Sequence, residues 1–227
     1  MTVDLSTTGG VATLTLDRLE KRNALNLEFA TDIARALDEA AASASILVLR
    51  SSGPVFSAGV DLSEPMRLDA SSPELVIADA LLGTPLFVIT VVEGPALAGG
   101  LIIAAVSPIV VASRDARFWL PERKIGVFPG RVLAFLEQVL PPRQAFWYGV
   151  TEQHITADEA VTLGLASVAT TDVEAEVTRL TGELRDADPA FLRAARDGWR
   201  TRFTTREHHT RRRVLDDLLT ANVADRG

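Results

Sequence analysis

The chain has 227 residues, 47% of them hydrophobic, and a formal net charge of −7. That length and composition predict one domain with a well-buried core and room for a small appendage. The acidic balance argues against a nucleic acid or an anionic membrane as the main partner, and the absence of cysteine excludes disulfides, thiolate metal sites and a thiol nucleophile.

At the N-terminus Asp4 interrupts any apolar run, so no targeting signal is expected, and the cytoplasm is the expected location. Val11 to Leu16 alternates, with Ala12, Leu14 and Leu16 on one face, which predicts a half-buried strand. Asn26 can cap a helix over Leu27 to Ala41, where Phe29, Ile33 and Leu37 form one stripe. Ile46 to Leu49 predicts a buried strand, and Ser51-Ser52-Gly53-Pro54 a turn. Phe87 to Val92, rich in β-branched residues, and Ile109 to Ala112 predict two more buried strands. Between them, Gly94 to Val106 is the most apolar stretch. It is too short and too rich in glycine to span a bilayer, and it reads as a buried turn and helix.

The second half changes character. Helices are expected over Arg131 to Val139 and Arg143 to Val150, separated by Pro141-Pro142. Thr156-Ala157-Asp158-Glu159 is a capping box opening a helix that ends before Gly164. A short strand follows over Ala166 to Val168, then helices from Val173 with a break near Pro189. Arg211-Arg212-Arg213 reads as a solvated helix face, and Trp119, Trp147 and Trp199 as core or interface packing. No metal-ligand spacing and no nucleophile–histidine–acid pattern surrounds His154, His208 or His209.

Two glycine-containing turns stand out. In Phe56-Ser57-Ala58-Gly59-Val60-Asp61-Leu62, the small residues let backbone approach a ligand, and Asp61 can cap the next turn. A tight strand exit is the competing reading. In Ala98-Gly99-Gly100, two glycines lead into an apolar helix whose first N–H groups lack intrahelical partners. Such donors can stabilise a developing oxyanion, and close packing of helix on sheet is the competing reading.

Together these segments resemble the two signatures of the crotonase superfamily, the enoyl-CoA hydratase/isomerase family. The resemblance extends to Val11–Arg18 with Glu20–Asn26, to Phe118–Glu122 followed by Ile125-Gly126-Val127 and Pro129-Gly130, and to Ile155–Ala160 with Leu163–Ala166. It implies an α/β fold with a β-β-α spiral core over residues 1–170. It also implies C-terminal helices over 171–227 that mediate assembly and cover the pocket. The implied protein is an acyl-CoA thioester enzyme, a homotrimer or dimer of trimers, with no cofactor beyond the coenzyme A of its substrate, no metal, and no nucleic-acid or membrane partner. Backbone amides of Val60 and Gly99 would form the oxyanion hole, and Glu122 would be a catalytic acid/base. Lys21, Arg22, Ala24, Ser57, Ala58 and Asp61, with Ile102, Gly130 and Arg131, would line the coenzyme A and acyl pocket. For Lys21 and Arg22 a solvated loop charge is as good a reading as a phosphate contact, and Glu122 could simply compensate a helix dipole.

Three departures from the family pattern shape the expectation. Ile102 stands where hydratases carry their second glutamate. Losing one acid/base group costs on the order of a hundredfold to ten-thousandfold, so isomerisation by one carboxylate is favoured over hydration. Arg131 replaces part of a glycine pair after Pro129-Gly130 and could pair with Glu122, holding it ionised. Ser63 to Gly83 is short for the family's lid region. The alternatives are an acyl-CoA-binding homologue without chemistry, and a hydrolase or decarboxylase that recruits an acid such as Glu64, Asp69 or Asp79.

Overall fold

Strand β1 (Val3–Thr8) turns at Gly9-Gly10 and runs back antiparallel to β2 (Val11–Leu16). In the computed structural model, which describes residues 2–151 and 153–224, this hairpin opens a six-stranded sheet of order β1-β2-β3-β4-β6-β9. From β2 onward every neighbour is parallel: β3 (Ile46–Ser51), β4 (Phe87–Val92), β6 (Ile109–Ser113) and β9 (Val168–Thr170). Parallel strands need both faces covered, and the alternation of side chains meets that need. Ala12, Leu14, Leu16, Leu47 and Leu49 face one apolar core together with helix α1 (Leu27–Ala41). Ile46, Val48, Phe87, Ile89 and Val111 face a second.

Helix α1 begins where Asn26 caps it: the Asn26 Oδ1 accepts from the Phe29 N–H at 2.9 Å. Phe29, Ile33 and Leu37 are all buried, as their spacing predicts. Helix α2 (Pro73–Gly83) is a helix that periodicity does not announce. Its apolar residues lie on all sides because it is wedged between α1 and α3 (Gly99–Val106), itself buried along its whole length.

Strands β4 and β6 each run on into a short strand, β5 (Ala96–Leu97) and β7 (Arg117–Trp119). These leave the main sheet and pair with each other, and β7 pairs on its other edge with β8 (Ile155–Thr156). This small sheet sets the segment after β5 beside the segment after β7: the Ala98 N–H donates to the Trp119 carbonyl at 3.0 Å. Helices α4 (Gly130–Leu136), α5 (Pro142–Val150) and α6 (Ala157–Leu163) follow. The capping box at Thr156 and Glu159 forms as predicted, and Gly164 closes α6 in the left-handed region at φ 90°. The Leu165 and Ala166 N–H groups both return to the Ala160 carbonyl, so β9 starts at Val168 and not at Ala166.

Three helices end the described chain: α7 (Val173–Arg185), α8 (Pro189–Thr204) and α9 (Arg206–Ala224). The break at Pro189 is joined by a second at Thr205, whose backbone is extended. Val173 and Val177 of α7 and Leu192 of α8 cover the second face of the sheet, while α9 lies along α4. The basic run on α9 keeps Arg211 and Arg213 exposed, as expected of a solvated face, with Arg212 half-buried. Arg211 binds both oxygens of Glu137, and the Arg212 guanidinium lies 5.5 Å from the Phe135 ring centre. Among the described residues, no helix is long and apolar enough to cross a membrane.

Candidate active site

The two glycine-containing turns are joined by backbone. The Phe56 N–H donates to the Pro95 carbonyl at 3.0 Å and the Leu97 N–H to the Ser57 carbonyl at 2.9 Å. Gly94 permits the approach, since a Cβ there would fall 2.3 Å from the Pro54 carbonyl oxygen. Gly59, at φ +80°, packs directly on the Ala98–Gly99 turn.

This contact aims two amides. The Gly59 carbonyl accepts from the Leu25 N–H at 2.7 Å. In a trans peptide the next N–H points the opposite way, so the Val60 N–H faces away from Leu25. The Ala98 carbonyl accepts from the Leu101 N–H at 2.9 Å, so by the same geometry the Gly99 N–H points out of the start of α3. No acceptor for either N–H is found among the described residues. Val60 and Gly99 both line a cavity of about 280 Å³.

The rest of that cavity is mostly apolar: Leu62, Met66, Val127, Phe128, Val132 and Leu219 contribute walls from the loop before α2, the segment before α4, α4 itself and α9. Glu122 enters from the 3₁₀ turn that follows β7. Burial pushes its carboxyl up to about 7, and the charge of Glu74 adds to the rise. Its Oε2 is buried with no hydrogen-bond partner among the described residues.

Glu74 is the residue that sequence reasoning missed. It is the second residue of α2, buried at 5% exposure, and it lines the same cavity. Its Cβ presses on Gly99, lying 3.0 Å from where a Gly99 Cβ would sit. Glu64, Asp69 and Asp79, the acids suggested by the sequence, are all exposed. Glu64 accepts from Asn26 Nδ2, and Asp69 accepts from the Ser71 N–H. The Ser72-Pro73-Glu74 string, with proline at a helix start, was the one signal that could have placed a carboxylate in a first turn here.

Arg131 does not pair with Glu122 as its position suggested. Its Nη1 donates to Glu74 Oε1 at 2.8 Å and its Nε to Asp216 Oδ1 at 3.0 Å, and further bonds go to the Arg67 and Leu68 carbonyls. Glu122 is therefore raised by its surroundings and not held ionised.

Arg131 lines the cavity as expected, and so does Ala58; most of the other expected pocket residues sit elsewhere. Ile102 is fully buried in the main core and is not a lining residue. Gly130 serves close packing, because a Cβ there would lie 2.4 Å from the Leu215 carbonyl oxygen of α9. Ser57 is buried and donates to the Asn23 carbonyl, and Ala24 is buried with it. Asp61 is lowered to about 2 by hydrogen bonds from Ser63, with Arg18 adding an ion pair at 2.9 Å; it shapes the Val60 turn from behind. Ala58 does line the cavity, and its N–H donates to the Arg22 carbonyl. That bond places the exposed Lys21–Arg22 loop beside Ala58. Among the described residues, no cluster of three metal-ligating side chains occurs.

An acid with a buried, partner-free oxygen, two unpaired amides and an apolar wall thus meet in one cavity of this α/β chain. The chain belongs to the enoyl-CoA hydratase/isomerase family, whose sequence model matches residues 6–225. It is 31% identical over 205 residues to the 2,3-dehydroadipyl-CoA hydratase of Escherichia coli, covering 84% of this chain and 78% of that protein. It is 32% identical to the enoyl-CoA hydratase ACTT6 of Alternaria alternata over 79% of this chain. The chain spans only 63% of that relative and 44% of another from the same organism, AFT6-1. A crystal structure of an enoyl-CoA hydratase from Mycobacterium avium superposes with a TM-score of 0.83 at 28% identity, over 95% of this chain and 88% of that one. An enoyl-CoA hydratase structure from Mycobacterium smegmatis, at 24% identity and a TM-score of 0.82 over 99% of both chains, shares the fold.

Proposed function

We propose that this protein moves a double bond in an enoyl-CoA thioester, with Glu122 as the single proton carrier. The thioester oxygen accepts from the N–H groups of Val60 and Gly99. Glu122 removes a proton from the carbon next to the carbonyl and returns it two carbons further along, and the two amides hold the dienolate between these steps. Atoms and charge balance without a co-reactant. The acyl chain lies along Leu62, Val127, Phe128 and Leu219, and the Lys21–Arg22 loop takes coenzyme A phosphates at the mouth.

The observation that carries this reading is the state of Glu122: a carboxyl raised to about 7, with a buried and partner-free oxygen, in the cavity that holds both amides. A group that must both take and give a proton near neutral pH works best with such a value. A passive binding pocket would gain nothing from burying an acid in that state.

The test is deuterium uptake from heavy water into saturated, 2-enoyl and 3-enoyl-CoA thioesters, read by mass spectrometry, with Glu122→Gln alongside. Exchange and double-bond migration that vanish in the variant are expected. Unchanged turnover in Glu122→Gln on every accepted thioester would sink the proposal. Water addition to a 2-enoyl thioester is read in the same samples, because several relatives are named hydratases. With Ile102 in the core, it is expected to be the slower reaction.

A further inference from the structure

Two carboxylates share this cavity, and they are bonded in opposite ways. Glu74 has both oxygens engaged: Oε1 takes the Arg131 Nη1 donor at 2.8 Å, and Oε2 takes the Ser72 hydroxyl. Glu122 arrives from a different element and leaves Oε2 without a partner. We propose that Glu74 is a positioning residue of the proton-transfer step, a fixed negative charge that acts on substrate only through Glu122. This deepens the reading given above and rests on it.

The physical argument starts from two acids in one poorly solvated space. They resist ionising together, so whichever is better supplied with donors takes the charge. Arg131 and Ser72 decide the matter for Glu74. Glu122 is left as the group that keeps its proton to neutral pH, in accord with the direction in which Glu74 moves it. The same clamp keeps Glu74 from serving as the proton carrier itself. It also solves a problem at Gly99. Glu74 meets that residue through its Cβ and Cγ, and the bond from Arg131 Nη1 turns the carboxylate, which would oppose an enolate oxygen, onto the guanidinium.

Other charges facing Glu122 do not reverse this field. Arg131 divides its charge between Glu74 and Asp216 of α9, and Arg212, 3.9 Å from Asp216, brings that cluster to balance; of its members Glu74 is the one that acts on Glu122. The Lys124 ammonium sits 4.4 Å from the centre of the Trp119 ring, which His154 also meets at a tilt. Arg67 lines the outer cavity on an exposed loop, and Arg123 follows Glu122 in its own turn. A carboxylate on α2 thus takes part in the site although α3 carries Ile102. The device differs from a second proton carrier on α3, because both oxygens of Glu74 are held by Arg131 and Ser72.

The test titrates Glu122 directly in the full chain, by the infrared carboxyl band that disappears in Glu122→Gln. The pH profile of kcat/KM for 3-hexenoyl-CoA is recorded in parallel. In Glu74→Gln the Glu122 midpoint should fall by about one pH unit or more, and Glu74→Asp, which keeps the charge, should restore it toward the wild-type value. An unchanged midpoint in Glu74→Gln overturns the proposal. If that variant does not fold, Glu74→Ala, which removes the charge and leaves Arg131 on Asp216, is read the same way: a fall supports the proposal, and no change overturns it. The infrared midpoint needs no turnover. An inactive protein whose midpoint still shifts would therefore count against the isomerase reading and not against the link between Glu74 and Glu122.

Discussion

Gly59 and Ala98 touch, and their contact sets the spacing of the two inward amides: a Cβ on Gly59 would lie 2.7 Å from the Ala98 Cβ and 3.5 Å from the Gly99 nitrogen. Gly59→Ala must therefore pay twice, once for a side chain at φ +80° and once for the clash. The backbone alone costs about 1–3 kcal/mol. Relief of the clash would part Val60 from Gly99, and loss of one such donor typically costs on the order of a hundredfold to a thousandfold in kcat. Thermal unfolding and deuterium exchange on the same variant should show both effects. Full exchange in a folded Gly59→Ala protein would refute the pairing of the amides.

Glu122 makes stability depend on pH in a predictable direction. Its folded value is about 7 against an ordinary 4.5, so the native state keeps a proton that the unfolded chain loses. The native advantage is complete below 4.5 and is lost as pH rises through 7. At about 1.4 kcal/mol per unit the swing reaches up to about 3 kcal/mol. Glu122→Gln cannot ionise. It should unfold like the wild type at pH 5 and be the more stable protein at pH 9, as urea midpoints at the two pH values would reveal. A constant difference between the two proteins across that range would contradict the burial argument.

Arg131 ties three parts of the chain together: α2 through Glu74, α9 through Asp216, and the loop before α2 through two carbonyls. Arg131→Met leaves Glu74 buried without its counter-charge, a change that typically costs about 3–5 kcal/mol. Asp216 is more exposed and suffers less. Arg131→Lys keeps the charge but lacks the fork that reaches Glu74 and Asp216 together, and should fall between the two proteins. Hydrogen exchange should find α9 more open in both variants, because Leu219 and the bond from the Phe128 N–H to Asn222 Oδ1 lose an anchor beside them. An Arg131→Met protein as stable as the wild type, with α9 equally protected, would rule out this role.

Local patterns in the chain carried the frame of the site. The period-two burial of Ala12, Leu14 and Leu16, the Asn26 cap and the Gly59 and Gly99 turns all depend on neighbours within a few residues, and each is where the sequence puts it. Glu74 was illegible for the opposite reason. Helix α2 is apolar on several sides, so no stripe marks it, and the charge that makes Glu74 tolerable in the interior comes from Arg131, 57 residues later. The expected pairing of Arg131 with Glu122 failed because closeness in sequence carries no information about which carboxylate α2 brings to the guanidinium. Asp61 was legible because its role is local: it caps the next turn, its Oδ1 accepting from the Ser63 N–H, while Oδ2 takes Arg18 from a more distant segment.

Asn23 is a case where a left-handed residue holds a loop by its side chain. At φ 54° it is fully buried. Its Oδ1 accepts from the Arg18 N–H at 2.8 Å, and its Nδ2 donates to the Ser52 and Val55 carbonyls at 3.2 and 2.9 Å. Asn23→Ala strands three half-buried backbone groups and puts alanine in a conformation asparagine tolerates better. A loss of about 2–4 kcal/mol in urea unfolding is expected. The Lys21–Arg22 loop should loosen with it and raise KM for a coenzyme A thioester more than it lowers kcat. A fall confined to kcat would argue that the loop does not meet the coenzyme.

His208 offers a test of the interior far from the site. Its ring lies edge-on to Phe135 and Phe203, with centroids 5.3 and 5.7 Å away, and neither nitrogen has a hydrogen-bond partner among the described residues. Burial, with the charges of His209 and Arg212, lowers its pKa to about 4. The folded state thus binds fewer protons than the unfolded chain between about 6.5 and 4. The stability that a neutral His208 permits is complete above 6.5 and is lost as pH falls through that window. His208→Leu removes two unsatisfied polar atoms and the titration with them. The variant should match or exceed the wild type at pH 7.5, and its advantage should widen at pH 5 in thermal melts. An advantage that stayed constant with pH would mean that His208 gains its proton as readily inside the fold as outside it.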